Sequence, residues 1–261
     1  MLRYPDIDPV AVDFGFIKIH WYGISYVAGI LLAWWLLNRR AKKQPFYGWT
    51  AAQVSDLIFY ATLGIIVGGR LGSVLFYNLP YYLDNPLEIV MVNKGGMSFH
   101  GGMIGVITAI WFYSRKIHQG FFNATDFIVP VAPVGLFFGR LANFINGELW
   151  GAPSSLPWAM VFPKAGDQPR HPSQLYEALF EGLLLFLILW IFSSSRKPKM
   201  AVSGMFLLFY GIFRTSVEFV REPDANIGYL GGDWLTMGIM LSVPMVVAGA
   251  MLLIFAYQKQ K

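Results

Sequence analysis

Seven apolar runs, at about 20–37, 55–77, 98–114, 127–146, 174–193, 202–220 and 234–257, constrain this chain more than any other feature. Each lies near the 20 residues or so that a helix needs to cross a hydrocarbon core of about 30 Å. Inside such a core every backbone N–H and C=O must be paired within the chain, and long apolar runs meet that demand as helices. Composition agrees: 13% of the 261 residues are charged and 56% are hydrophobic, whereas a soluble domain carries about 25% charged residues. The expected fold is an all-α integral membrane protein, one domain over 1–261 with seven transmembrane helices.

The polar connections alternate in charge. Arg39, Arg40, Lys42 and Lys43 follow the first run, Arg115 and Lys116 the third, Arg196, Lys197 and Lys199 the fifth, and Lys259 and Lys261 end the chain, eleven of the 20 basic residues. Arg3, Lys18, Lys94, Lys164, Arg170 and Arg221 are spread over much longer sequence on the opposite side. Excess Lys and Arg marks cytoplasmic loops, so the N-terminus is expected outside and the C-terminus in the cytoplasm. This distribution, rather than nucleic-acid binding, accounts for the basic pI near 9.3. The start, with Asp6, Asp8 and Asp13 against Arg3, lacks the basic flank of a cleavable signal peptide. The longest polar insert, 147–172, is rich in Pro, Gly, Ser and Trp and reads as a small external cap.

Local signals fit this division. Thr50 with Gln53 makes a capping box before the second run, Asp126 is read as the anion at the start of the fourth, and Pro172-Ser173 opens the fifth. Glycines recur every four residues at Gly64, Gly68 and Gly72, at Gly101 and Gly105, and at Gly135 and Gly139, a spacing that lets membrane helices approach closely.

Against this background the polar residues inside apolar runs stand out. Arginine at membrane depth costs about 2.5–3.5 kcal/mol on insertion scales, so it needs a partner, a water-filled cavity or an anionic ligand. Arg70, Arg140 and Arg214 all fall within runs. Tyr210, Arg214, Glu218 and Arg221 share one helical stripe, and Arg140 shares a face with Asn143 and Gly147. Arg214 with Glu218 reads equally as an ion pair tying the bundle together, but the arginines within runs outnumber the acids read as deep, which favours an outside anion such as phosphate. Glu177 and Glu181 read as arginine partners or helix-end anions. His100, flanked by glycines, is approachable, and imidazole commonly serves as a general base, while a structural histidine is the plainer alternative. His20 and His171 are possible helpers, and His118 is expected to be solvated. With no cysteine the chain forms no disulfide and has no thiolate nucleophile or metal ligand. No His/Asp/Glu grouping has metal-ligand spacing, and no nucleophile elbow or phosphate loop is present.

Five motifs taken together carry a resemblance: His20-Trp21-Tyr22-Gly23, Gly95-Gly96-Met97-Ser98-Phe99-His100-Gly101-Gly102, the stretch from Gly139 to Gly151, His171-Pro172-Ser173-Gln174-Leu175-Tyr176-Glu177, and Tyr210-Gly211-Ile212-Phe213-Arg214 through Glu218. In order and along essentially the whole chain, they resemble prolipoprotein diacylglyceryl transferases. The resemblance implies a multi-pass enzyme of the bacterial cytoplasmic (inner) membrane. It would move the diacylglyceryl group of phosphatidylglycerol onto the lipobox cysteine of a preprolipoprotein signal peptide, forming a thioether and releasing glycerol phosphate without a cofactor or metal. The implied catalytic set is His100, Arg140 and Arg214. The implied substrate-binding set is Tyr22, Arg70, Asn143, Asn146, Glu148, Gly151, Tyr210, Glu218 and Arg221. An anion or lipid transporter is the alternative that buried arginines also allow. A retinal protein is excluded by the lack of lysine in 234–257, and a pure scaffold leaves the arginines unexplained.

Overall fold

A computed structural model describes residues 2–92, 95–223 and 228–258, so Lys94, Lys259 and Lys261 lie outside the described residues. Every apolar run coincides with helix: α1 (Trp21–Lys43), α2 (Ala51–Phe76), the short α3 (Leu79–Asp84), α4 (Phe99–Lys116), α5 (Phe121–Ile128) running through a 3₁₀ turn into α6 (Ala132–Ile145), α7 (Ser173–Glu177) running through a π-helical stretch, Ala178–Leu184, into α8 (Leu185–Phe192), then α9 (Ala201–Glu218) and α10 (Met237–Gln258). Among the described residues, five helical stretches are long and apolar enough to cross a membrane: Trp21–Lys43, Ala51–Phe76, Phe121–Ile145, Ser173–Phe192 and Met237–Gln258. The other two long helices have 18 residues each; α4 ends on Arg115 and Lys116, and α9 holds Arg214 and Glu218. The membrane-embedded part is thus a helical bundle. Among the described residues, strands are two to four residues long and lie outside the long helices.

Packing gathers into two units, Leu37–Thr125 and Met1–Leu36 with Asp126–Lys261. In the first, α2 and α4 touch along glycines. A Cβ on Gly105 would lie 2.0 Å from the Gly64 carbonyl oxygen, and one on Gly68 would lie 2.4 Å from that of Gly101. The backbones meet because no side chain separates them, which is how membrane helices gain dispersion contacts where lipid removes the hydrophobic drive. Thr50 and Gln53 form the expected capping box at the start of α2. Arg40, one of the basic residues that follow the first run, is buried, with its guanidinium over the Tyr47 ring at 4.7 Å.

In the second unit, Leu185, Leu189 and Val202 make a core against Phe206, Phe209 and Phe213. Gly204 and Gly249 bring α9 against α10, a seam the four-residue spacing rule did not single out. By contrast, a Cβ on Gly135 or Gly139 would meet nothing within 4 Å, so these two do not form the tight seam their spacing suggests. Asp126 also departs from expectation. Its helix begins at Phe121, and the buried carboxylate instead accepts hydrogen bonds from Met200 N (2.7 Å), Ser203 N (2.8 Å) and Ser203 Oγ (2.6 Å). Met200 precedes α9 in the left-handed region and offers no side-chain cap of its own, so the anion comes from a neighbouring helix.

The N-terminal β1 (Leu2–Arg3) joins β2 (Met160–Val161) of the polar insert in parallel, with Leu2 opposite Met160, and β2 pairs antiparallel with β3 (Pro169–Arg170). The N-terminus is thereby fastened to the segment that follows α6.

Substituting Gly105 by Val should destabilise the protein by about 3 kcal/mol or more, since the obstruction is backbone that cannot swing aside. Gly135→Ala should leave it unchanged or gain about 0.5–1 kcal/mol. Thermal unfolding of the detergent-purified variants checks the contrast.

Candidate active site

Three helical segments of the second unit carry opposite charges to one place. Arg140 rises from α6, Glu177 and Glu181 from α7 and the π-helical stretch, and Arg214 and Glu218 from α9, with Arg221 just beyond it. Arg140 Nη2 lies 2.5 Å from Glu177 Oε2 and 3.5 Å from Glu181 Oε2. Arg214 Nη1 lies 3.6 Å from Glu177 and 3.8 Å from Glu181, while its Nη2 lies 2.7 Å from Glu218. Arg221 extends the lattice to Glu218 at 3.8 Å and Glu177 at 4.0 Å. Three arginines face three glutamates. The apparent excess of intramembrane cations therefore does not hold here, because Glu177 and Glu181 reach the same depth as arginine partners.

The lattice is dry. Glu177 and Glu181 are 0% exposed, and taking charges out of water costs several kcal/mol each unless opposite charges and hydrogen bonds compensate. Compensation here is by charge more than by aligned hydrogen bonds: both carboxylate oxygens of Glu177 and Glu181, and Nη1 of Arg214, have no hydrogen bond of normal geometry among the described residues. The π-helical stretch carries Glu181, and Gly182 within it packs on Phe137 of α6 so closely that a Cβ would lie 2.7 Å from the Phe137 Cβ. Such widened turns recur at functional sites. Nothing in the spacing of 174–193 signals the change of helix type.

Glu218 has its own cradle. Thr236 Oγ1 donates to Glu218 Oε1 at 2.9 Å, and a Cβ on Gly238 would lie 2.5 Å from the carboxylate. Sequence reasoning missed Thr236 and Gly238. The signal that could have found Gly238 is a glycine one turn into an apolar helix whose neighbour carries a charge.

Beyond α6 the chain turns sharply and uses its polar side chains on itself. Asn143 Nδ2 donates to Glu148 Oε1 at 2.8 Å, and Asn146 Nδ2 lies 3.4 Å from the same oxygen. Gln174 Nε2 donates to the Glu148 carbonyl at 2.6 Å and Ser173 Oγ to that of Leu149 at 2.9 Å, so α7 grips the turn. Leu149 sits at φ +58°, an uncommon conformation for a side-chain-bearing residue that marks local constraint. Gly147, placed by its spacing on the face of Arg140 and Asn143, is covered from within: the Tyr4 hydroxyl would lie 3.3 Å from a Cβ there. Tyr4 donates to the Phe144 and Ile145 carbonyls at 2.6 and 2.9 Å, closing the C-terminus of α6. Burial, aided by the Asp6 carboxylate, raises the Tyr4 pKa and keeps the phenol a donor. Gly151 pairs with His171 and bridges to Arg221, and any Cβ would strike the Val220 carbonyl at 2.5 Å. His171 itself lies against the Tyr176 hydroxyl at 3.3 Å, and burial lowers its pKa.

In the first unit, Arg70 donates to backbone carbonyls: Ile89 at 2.8 Å, Gly96 at 3.1 Å, Met91 at 3.2 Å, and also Glu88 and Gly95. Tyr82 covers the guanidinium at 5.0 Å. This arginine thus holds the loop that leads into α4. His100 stands in the first turn of α4, exposed, after an N-cap at Ser98.

The amino-acid sequence has relatives of known family. The family model described as prolipoprotein diacylglyceryl transferase matches residues 9–255. A phosphatidylglycerol–prolipoprotein diacylglyceryl transferase of Methylococcus capsulatus is 56% identical over 260 residues, covering 100% of this chain and 99% of the relative. Those of Coxiella burnetii and Pseudomonas paraeruginosa are 53% and 55% identical, covering 100% and 99% of this chain and 100% and 97% of their own lengths. The chain belongs to the prolipoprotein diacylglyceryl transferase family.

Within one unit of this family member, then, the fold gathers Arg140, Arg214, Glu218 and Arg221, and joins Asn143 and Asn146 to Glu148. Tyr210 lies one turn before Arg214, its ring stacked on Phe206 with centroids 5.7 Å apart. Tyr22 opens α1, its hydroxyl 3.4 Å from that of Tyr26. Arg70 and His100 belong to the other unit.

Replacing Glu177 by Ala strands buried arginine charge and should cost about 3–5 kcal/mol. Glu222→Ala, which removes the carboxylate paired with Arg170 and whose side chain is 42% exposed, should cost about 1 kcal/mol or less. Unfolding of both variants in detergent checks the difference.

Proposed function

We propose that this chain transfers the diacylglyceryl group of phosphatidylglycerol to the lipobox cysteine thiol of a preprolipoprotein, leaving glycerol phosphate. One observation carries the reading: relatives more than half identical along essentially their whole length are named for that activity.

The chemistry asks for two things. A cysteine thiol with a pKa near 8.5 is only a few per cent thiolate at neutral pH, so its proton needs an acceptor. As sulfur bonds to the glycerol carbon, the carbon–oxygen bond to phosphate breaks and the electron pair leaves on the phosphate ester, so that oxygen needs cations. In this reading His100 takes the proton, and its exposure in the first turn of α4 supports the role. Arg140 and Arg214 receive the phosphate. Arg140 meets its glutamates through Nη2 and keeps 18% of its side chain exposed, which supports a guanidinium anchored at one corner and free to grip at another. Glu218 and Arg221 hold Arg214 in place. Asn143, Asn146 and Glu148, already bonded to one another, orient the headgroup hydroxyls, Tyr22 and Tyr210 add hydroxyl donors, and Gly151 keeps the backbone close to Arg221. Arg70 enters through the Gly95-Gly96 loop that it holds ahead of His100.

The same reading includes one membrane domain over 1–261 crossing the bacterial inner membrane seven times, with the N-terminus and the 147–172 cap outside and the C-terminus in the cytoplasm. The run of basic residues after α1, α4 and α8 supports that orientation.

The test is transfer of label from phosphatidylglycerol to a lipobox peptide by the purified protein; absence of labelled peptide refutes the activity. His100→Gln should lower turnover by roughly 10²–10⁴-fold while lipid binding persists. Full activity in that variant removes the base assignment. Arg140→Ala and Arg214→Ala, checked for folding, should each lose about 10²–10³-fold in kcat. Unchanged rates in both would end the phosphate-clamp assignment.

A further inference from the structure

Outside these residues, the Leu37–Thr125 unit carries a trench of about 770 Å³ along the α2–α4 seam. Its floor is the glycine contact, where Gly64, Gly68, Gly101 and Gly105 leave no side chains to fill the groove. Helix packing explains the glycines, so they are not themselves evidence of a ligand. The walls are another matter. Leu63, Val67 and Leu71 on one side and Ile104 and Phe112 on the other are large, apolar and exposed, which suits contact with lipid chains.

The two ends of the trench differ. From Tyr60 to Phe76 it follows about 24 Å of helix at 1.5 Å per residue, longer than the roughly 15 Å depth of one leaflet. One end is apolar, at Leu75 and Phe76. The other is lined by Lys116, whose ammonium is 3.3 Å from the Tyr60 hydroxyl and 5.5 Å from that ring's centroid. Arg115 stands next to it over Trp111. The acid at this end, Asp56, accepts from the Tyr113 hydroxyl at 3.2 Å. A long apolar channel ending in an ammonium and a phenol matches an acyl chain joined to an anionic headgroup.

We propose that the α2–α4 trench is a resident-lipid site, occupied by one acyl chain of an anionic phospholipid whose phosphate is held by Lys116 and the Tyr60 hydroxyl. Lys116 stands at the end of α4 opposite His100, about 24 Å of helix away at 1.5 Å per residue, so a headgroup held there is beyond reach of the proposed base and its lipid is held rather than consumed. It fills the seam where two helices meet without side chains and seals that seam against the bilayer.

The site is tested with the full chain in nanodiscs containing phosphatidylserine or phosphatidylcholine with a photoreactive acyl chain, followed by mapping of the labelled peptides. Phosphatidylserine is chosen because it is not the donor lipid of the proposed reaction. Labelling within 63–71 and 104–112 should favour phosphatidylserine by about fivefold, the effect of one basic residue at a membrane surface. Lys116→Glu should erase the preference while leaving labelling by phosphatidylcholine, and Thr108→Trp, which fills the trench, should reduce labelling by both lipids. Equal labelling by the two lipids in the native protein, or a preference that survives Lys116→Glu, overturns the proposal. So does protection of these peptides by a second copy of the chain at higher protein density. Because Lys116 is exposed, Lys116→Glu keeps the test decisive even if Thr108→Trp fails to fold.

Discussion

Charge buried in an apolar bundle is the constraint from which much of the larger unit follows. Arginine 140 in α6 and arginine 214 in α9 cannot remain in a low-dielectric setting without countercharge, so both converge on Glu177 and Glu181. Bringing the two carboxylates there requires the widened helix after α7, close contact of Gly182 with α6, and a bare Gly238 against Glu218. A shift in any of these would separate the charges. The lattice therefore fixes the mutual placement of α6, α7 and α9 more tightly than apolar packing alone, which tolerates sliding.

Close backbone approach is the complementary device. Lipid tails are as apolar as leucine, so helices in a membrane gain little by hiding apolar side chains from their surroundings. Contact between glycines replaces that drive along α2–α4 and again at Gly204 and Gly249 between α9 and α10. The first seam has a further consequence: a contact without side chains leaves a trench beside it, lined at one end by Lys116.

The polar segments do more than connect. Tyr4 closes the end of α6, Asp126 caps α9 from another helix, and Gln174 and Ser173 fasten the turn that carries Glu148 and Leu149. Tyr4 and Asp126 satisfy backbone groups that a helix end leaves open, while Gln174 and Ser173 bond carbonyls of the turn beyond α6. In doing so they hold the segment from Asn143 to Gly151 in one conformation, with Asn143 and Asn146 directed onto Glu148. A headgroup bound there would meet donors and acceptors whose ordering cost is already met by folding.

By itself, the sequence determined the helices, because long apolar runs in a membrane have one solution, and it singled out the polar residues within those runs, because each is costly where it stands. It also placed the capping box at Thr50 and the α2–α4 glycine contact, since both depend on spacing within one or two helices. The tertiary structure alone decided partnership. That Asp126 serves α9, that Glu177 and Glu181 balance the arginines, that Arg70 spends itself on carbonyls, that Tyr4 covers Gly147 and that Gly135 and Gly139 make no tight seam all depend on which elements meet. A glutamate carries the same codon-level signal whether it faces an arginine or water; only the packing of helices distant in sequence sets which charge it neutralises.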